Sequence, residues 1–393
     1  MSTASPKYQD EPRKGRGRGG VSPRPNAPAT RDLQTVTPPT TPPNKAAAFP
    51  GFVNHGGPIV ATPLVYASFW GSQWTADASH LMRAARLTQF LTDMVASQYM
   101  NVLSQYGSSA GAGGGCFLGS SFVSSVPNNM TDAQIRALIQ SCITAGVIPQ
   151  PGTPANTCLI VYLADNLAIN DPADGLVLCE ATHDTAFGYH DFFKTTAGPP
   201  MYYAMIPGLN DACLKESCAS DAGCSLHLAE TQEQRQTQVT SHEFGEMVTD
   251  PQLNAWWDPG GGEEGDICNG ETATITVGAN TWNVQKSYSK ADDVASNGAT
   301  VCVATHPSPL PKLAGVSSSH SAMARVQQLQ AIAKILPLPD VYFDAETKAI
   351  TRKDADVKAF AQKLLNPFHH TDVVPNMPGL LRHFADVIEK TPR

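Results

Sequence analysis

The stretch of the chain richest in chemistry is Ser241-His242-Glu243-Phe244-Gly245-Glu246-Met247-Val248-Thr249-Asp250-Pro251. Residues from about 230 onward contain no helix breaker, and Pro251 ends the helix just after Asp250. On such a helix His242 and Glu246, four residues apart, stand one turn above each other on one face. This is how His-Glu-x-x-His proteins grip zinc, with a carboxylate here in place of the second imidazole. Glu243 lies beside that face, placed to take a proton from water activated by the metal. A carboxylate ligand donates charge to the ion and weakens it as a Lewis acid.

A catalytic zinc takes three protein ligands and keeps one position open. About twenty residues beyond His242, the glycine-hinged loop from Gly260 to Cys268 presents Glu263, Glu264 and Asp266. The third ligand is expected from Glu263 or Asp266, with Asp250 and the upstream His183 or His190 as competitors. His190 is alternatively the group that stabilises a tetrahedral oxyanion. An i,i+4 His/Glu pair alone is ordinarily a solvated surface contact, but a loop carrying three carboxylates needs an ion or a cation to face. The expected chemistry is Zn2+-assisted hydrolysis, most naturally of peptide bonds in a peptide or protein substrate, with Glu243 as general base.

The surrounding elements point to an α/β or α+β layered domain. The run Ile59 to Trp70 reads as a buried strand, and residues 76–106 carry one wide apolar helical stripe. A strand follows around 116–125, then a helix opened by Thr131-Asp132, then an interior strand over 158–163. Gly107-Ser108-Ser109-Ala110-Gly111 matches the G-x-S-x-G spacing but follows a helix and precedes glycines, the reverse of a nucleophile elbow. Asn129-Met130-Thr131 fits a glycosylation acceptor.

Taken in order, these residues resemble the phosphate-induced, exordium-like extracellular proteins, in particular a microbial branch with a His-Glu-x-x-Glu zincin-like motif. His55-Gly56-Gly57-Pro58 and Tyr66-Ala67-Ser68-Phe69-Trp70-Gly71-Ser72-Gln73-Trp74 resemble that family's opening strand and tryptophan turn. Phe90 to Tyr106, with Ser97-Gln98-Tyr99-Met100-Asn101, resembles its first long helix. Ala186-Phe187-Gly188-Tyr189-His190 is similar to its Cys-Gly-aromatic-His motif, with Ala186 in place of the cysteine. The His242 helix and the Glu263-x-x-Asp266-x-Cys268 loop resemble the zincin-like signature of the microbial members, and Tyr288-Ser289 with Cys302 their closing strand. The resemblance covers about 250 residues. It implies an extracellular zincin-like domain with a zinc-dependent, peptidase-like site. The rival expectation is a non-catalytic extracellular binding or signalling protein with a structural ion or none. In that case Trp70, Trp74, Trp256 and Trp257 would offer stacking surfaces, although core packing is the ordinary use of tryptophan.

Length and composition set the frame. The chain has 393 residues, 41% hydrophobic and 16% charged, with 31 Gly, 31 Pro and a net charge of -8. It is charge-poor, and no apolar run spans a membrane. An acidic chain is a poor nucleic-acid binder, except weakly through the Pro/Gly-rich arm of residues 1–51, which has a basic excess and too little apolar surface to order itself. That arm has no secretory h-region, so an extracellular location has to come by another route, and a cytoplasmic one stays open. Residues 52–306 form the expected domain, 307–320 a linker and 321–393 a small helical module, where His369, His370 and His383 read as surface histidines. Nine cysteines leave one over. Cys213, Cys218 and Cys224 read as disulfide-forming, with Cys268 and Cys302 as a further pair.

Overall fold

The computed structural model describes residues 51–108, 114–173, 176–179, 186–217, 229–258, 262–296, 300–310 and 313, with the side chains of 215–217 excepted. The basic arm, the helical module, Ser109, His183, Cys218 and Cys224 lie outside the described residues, as do most of the linker and the C-terminal histidines.

Two strands with no polar face set the centre of the sheet. β1 (Leu64–Trp70) and the strand Thr157–Leu163 are buried at every position, as befits strands covered on both faces. β1 starts later than its apolar run, because Pro58 and Pro63 withhold two ladder donors. After β1 the chain forms α1 (Ala78–Ala96), capped by the Asp77 carboxylate, which accepts from the backbone N–H groups of Ser79 and His80. β2 (Cys116–Val123), α2 (Asp132–Thr144), β3 (Thr157–Leu163), β4 (Tyr189–Lys194) and β5 (Pro200–Ile206) follow. The five strands stand in the order β2-β1-β3-β5-β4. All neighbours are parallel except β4, which runs antiparallel to β5 at the edge. The domain is therefore of mixed α/β type. Among the described residues no helix is long and apolar enough to cross a membrane.

The apolar stripe of 76–106 is not one helix. Ser97 is extended, its hydroxyl donating to Met94 O and accepting from Tyr99 N. Such local side-chain bonds compete with the helical ladder. The chain restarts as a short helix, Tyr99–Leu103, and Tyr99 is thereby turned to donate to the carbonyl of Ser241 at 2.8 Å.

α3 (Gln232–Thr249) is the axis of the domain. Thr231 and Gln234 form a reciprocal capping box at its start, Asp250 is its C-cap, and Pro251 follows. Every residue from Arg235 to Thr249 is buried, although a helix this polar belongs by composition at a surface. Many of its polar side chains find partners. Arg235 reaches Leu209 O and Asp211, Gln236 donates to Pro207 O, Thr237 to Asn283 O and Thr240 to Tyr162 Oη. The sheet covers one side of α3. The other side meets a hairpin of β6 (Thr272–Val277) and β7 (Asn280–Gln285), turned at Gly278 with φ +58°.

A buried ionic cluster pins α2 to the sheet edge. Asp132 accepts from Tyr189 Oη at 2.9 Å and Tyr203 Oη at 2.6 Å, and pairs with Arg136, which also holds Asp191 at 2.7 Å. Removing Asp132 strands the buried hydroxyls of Tyr189 and Tyr203 away from water and takes from Arg136 one of its two carboxylates. Asp132→Ala is expected to cost about 3–5 kcal/mol, read as a lower midpoint in urea unfolding; an unchanged midpoint would contradict this account of how β4 is held.

Of the cysteines, Cys268 pairs with Cys302 as expected, and Cys213 pairs with Cys179 rather than within its own cluster. Trp70, Trp74 and Trp256 are at most 2% exposed, so they pack in the core and offer no stacking surface.

Candidate metal centre

Strand alternation brings His190 to the site. On β4, Tyr189 and Asp191 face α2 through the Asp132–Arg136 cluster, so the residue between them projects from the opposite face of the sheet. Glu243 and Glu246 of α3 lie there: His190 Nδ1 is 3.4 Å from Glu243 Oε2 and 3.5 Å from Glu246 Oε2. Gly188 makes this approach close, since a Cβ there would fall 2.6 Å from Val239 Cγ1 and 3.1 Å from Glu243 Oε1.

The acidic loop closes the site from the other end of the chain. Residues 256–257 pair with Val53–Asn54, and the loop re-enters as the one-turn helix α4 (Glu264–Ile267). The Cys268–Cys302 disulfide ties down its far end. Glu263 Oε1 lies 3.7 Å from His190 Nε2, and Asp266 Oδ1 lies 3.8 Å from His242 Nε2. His242 Nε2 is 3.0 Å from Glu246 Oε1. Thus both expected third ligands arrive, one beside each histidine, with Glu246 between them. Asp250 is used elsewhere: it accepts from the backbone N–H groups of Asn254 and Ala255 and shapes the turn after α3.

Two groups of potential ligands follow, His242–Glu246–Asp266 and His190–Glu246–Glu263, each with its donor atoms within 4.8 Å of one another. Around a zinc with bonds of about 2.0–2.2 Å, tetrahedral ligand atoms stand about 3.4 Å apart. The separations of 3.0 and 3.8 Å at His242 bracket that value. Both nitrogens of His190, Nε2 of His242, Oε2 of Glu246 and Oε1 of Glu263 are buried without a hydrogen-bond partner. Five such atoms gather in this one place, and orphaned buried polar atoms that converge fit a cation. Asp266, with its side chain 27% exposed, marks the side from which solvent reaches the group; the histidines and Glu246 are closed off.

The charges lean on one another. Burial opposes charge on His242, but Glu246, with Glu243 and Asp266, holds its pKa up at about 10. Burial opposes charge on His190 too, yet Glu263, Glu243 and Glu246 raise it well above an ordinary imidazole. Burial, reinforced by Glu246, lifts Asp266 to about 7 and Glu264 to about 8. Glu246, despite its burial, is held down at about 2 by His242 and His190. It is the anionic hub of the pocket.

Two supporting residues complete the site, of which Gln285 escapes a reading of motifs. Gln285, at the end of β7, sets its side-chain nitrogen 2.6 Å from His242 Nδ1 and donates to Gly265 O at 2.9 Å, fixing the ring so that Nε2 meets Glu246. The signal in the sequence is the alternation of residues 272–285 about Gly278. Glu264 is the second: it sits behind the site, and a Cβ on Gly245 would fall 2.0 Å from its Oε1.

No protein-family model, curated protein or solved structure matches the chain. What the site does must follow from its own geometry.

Gly265 gives that geometry a sharp test. A Cβ there would lie 2.9 Å from both Glu246 Oε1 and His242 Nδ1. Gly265→Ala is expected to weaken zinc binding about 10–100-fold, as loss of outer support does, while the unfolding midpoint without metal moves little. Unchanged zinc affinity by competition with a chromophoric chelator would contradict the close packing of α4 on the two ligands.

Proposed function

We propose that the protein is a zinc-dependent hydrolase of peptide bonds, built as a zincin-like domain of the microbial exordium-like type. The observation that carries this reading is the convergence of orphaned, buried atoms of His242 and Glu246 with the Asp266 carboxylate. His242, Glu246 and Asp266 would hold the ion. Zn2+ in such a setting lowers the pKa of water towards neutrality and polarises a carbonyl. Glu243 is adjacent in sequence to His242 and buried, and burial raises its carboxyl pKa. A carboxylate so raised is suited to take a proton from the attacking water and return it to the leaving amine. His190 Nδ1, at 3.4 Å, orients that carboxylate. The two disulfides favour an oxidising, extracellular setting.

The test is hydrolysis of unfolded protein and of a mixed peptide library by the full chain loaded with zinc. Cleavage that stops on chelation and returns on adding zinc is the expected result. Zinc-loaded protein that cleaves neither would overturn the reading and leave a metal-binding protein of another class.

A further inference from the structure

The two oxygens of Glu246 face different histidines. Oε1 lies 3.0 Å from His242 Nε2, and Oε2 lies 3.5 Å from His190 Nδ1. Each histidine has a further carboxylate of its own, Asp266 for His242 and Glu263 for His190. The same set of groups recurs about Glu246, one imidazole, one shared carboxylate and one private carboxylate on either side, although Glu246 and Asp266 meet the same nitrogen of His242 while Glu246 and Glu263 meet different nitrogens of His190.

We propose that Glu246 bridges two divalent cations, one held by His242, Glu246 and Asp266 and the other by His190, Glu246 and Glu263. This rests on the hydrolase reading for the first cation and goes beyond it in the second.

Charge argues for the pair. A dication at the His242 position balances Glu246 and Asp266. Glu263 then remains, 2% exposed and 3.7 Å from His190 Nε2. A buried carboxylate is costly without a counter-charge, and a second dication beside His190 supplies one. The second group has its own unpartnered atoms: both His190 nitrogens and Glu263 Oε1 are buried without a hydrogen bond. With the cation on Nε2, Nδ1 still meets the Glu243 carboxylate at 3.4 Å, the usual partner of a metal-bound imidazole. Two oxygens of one carboxylate, each on its own cation, set the cations about 3.5–4 Å apart, the spacing of two-metal hydrolytic sites. The alternative is a proton on His190 with one cation alone.

The full-length protein would be saturated with zinc, freed of excess by gel filtration and analysed for zinc per chain. X-ray absorption at the zinc edge would then give the metal–metal distance. The expected result is about two zinc per chain with a zinc–zinc vector of about 3.5–4 Å, falling to about one, without the vector, in His190→Ala. Glu263→Gln serves as a second variant should His190→Ala fail to fold. One zinc in the wild type, or two zinc without a short vector, would overturn the bridged pair and leave the single-zinc hydrolase standing. No zinc at all would overturn both readings.

Discussion

Glu243→Gln is expected to lower peptide hydrolysis about 10²–10⁴-fold while leaving zinc content unchanged. The substitution keeps the size of the side chain and removes its capacity to accept a proton. Glu243 is absent from both ligand groups, so the site should fill as before. The side chain of the same size keeps the 3.4 Å approach of His190 Nδ1, so β4 should keep its place against α3. The readout is kcat at saturating substrate beside zinc per chain. Full activity in the variant would remove Glu243 from the chemistry; loss of zinc would make it a ligand instead.

The second large effect belongs to Glu246, the one residue common to both groups of ligands. Glu246→Ala is expected to abolish tight zinc binding, a greater loss than the 10–100-fold that follows removal of an outer partner. Its thermal behaviour supplies an independent check. A ligand at about 100 times its Kd stabilises a folded protein by about 2.7 kcal/mol. Zinc should therefore raise the Tm of the wild type and leave that of Glu246→Ala where it was. An equal zinc-induced rise in Glu246→Ala would place the metal elsewhere.

The parts of this account legible in the sequence are those fixed by local chemistry. α3 could be read because residues 230–250 lack breakers and Pro251 ends them, and its i,i+4 pair follows from helical geometry. β1 and β3 announced themselves as continuous apolar runs. The break at Ser97 could not be read from periodicity, since the apolar stripe continues through it while a hydroxyl diverts the backbone. Glu263 and Asp266 stand three residues apart on one loop, so spacing alone could not say which joins His242. Each joins a different histidine because α4 sets Asp266 N–H on Glu246 Oε1 at 3.1 Å, which seats Asp266 beside His242. His190 stands out in the sequence as a candidate, but its seat between Glu243 and Glu263, like that of Gln285, comes from sheet register and hairpin pairing, long-range geometry that no local pattern encodes. Cys179, 34 residues before its partner Cys213, is of the same kind.

The central claim is that the buried face of α3 holds a metal, and zinc content tests it most directly. The full chain would be purified without chelators, equilibrated with zinc, desalted and analysed by elemental mass spectrometry beside Glu246→Ala. At least one zinc per wild-type chain, absent from the variant, is the predicted result. A wild type that retains no zinc, or a variant that retains as much, would contradict it.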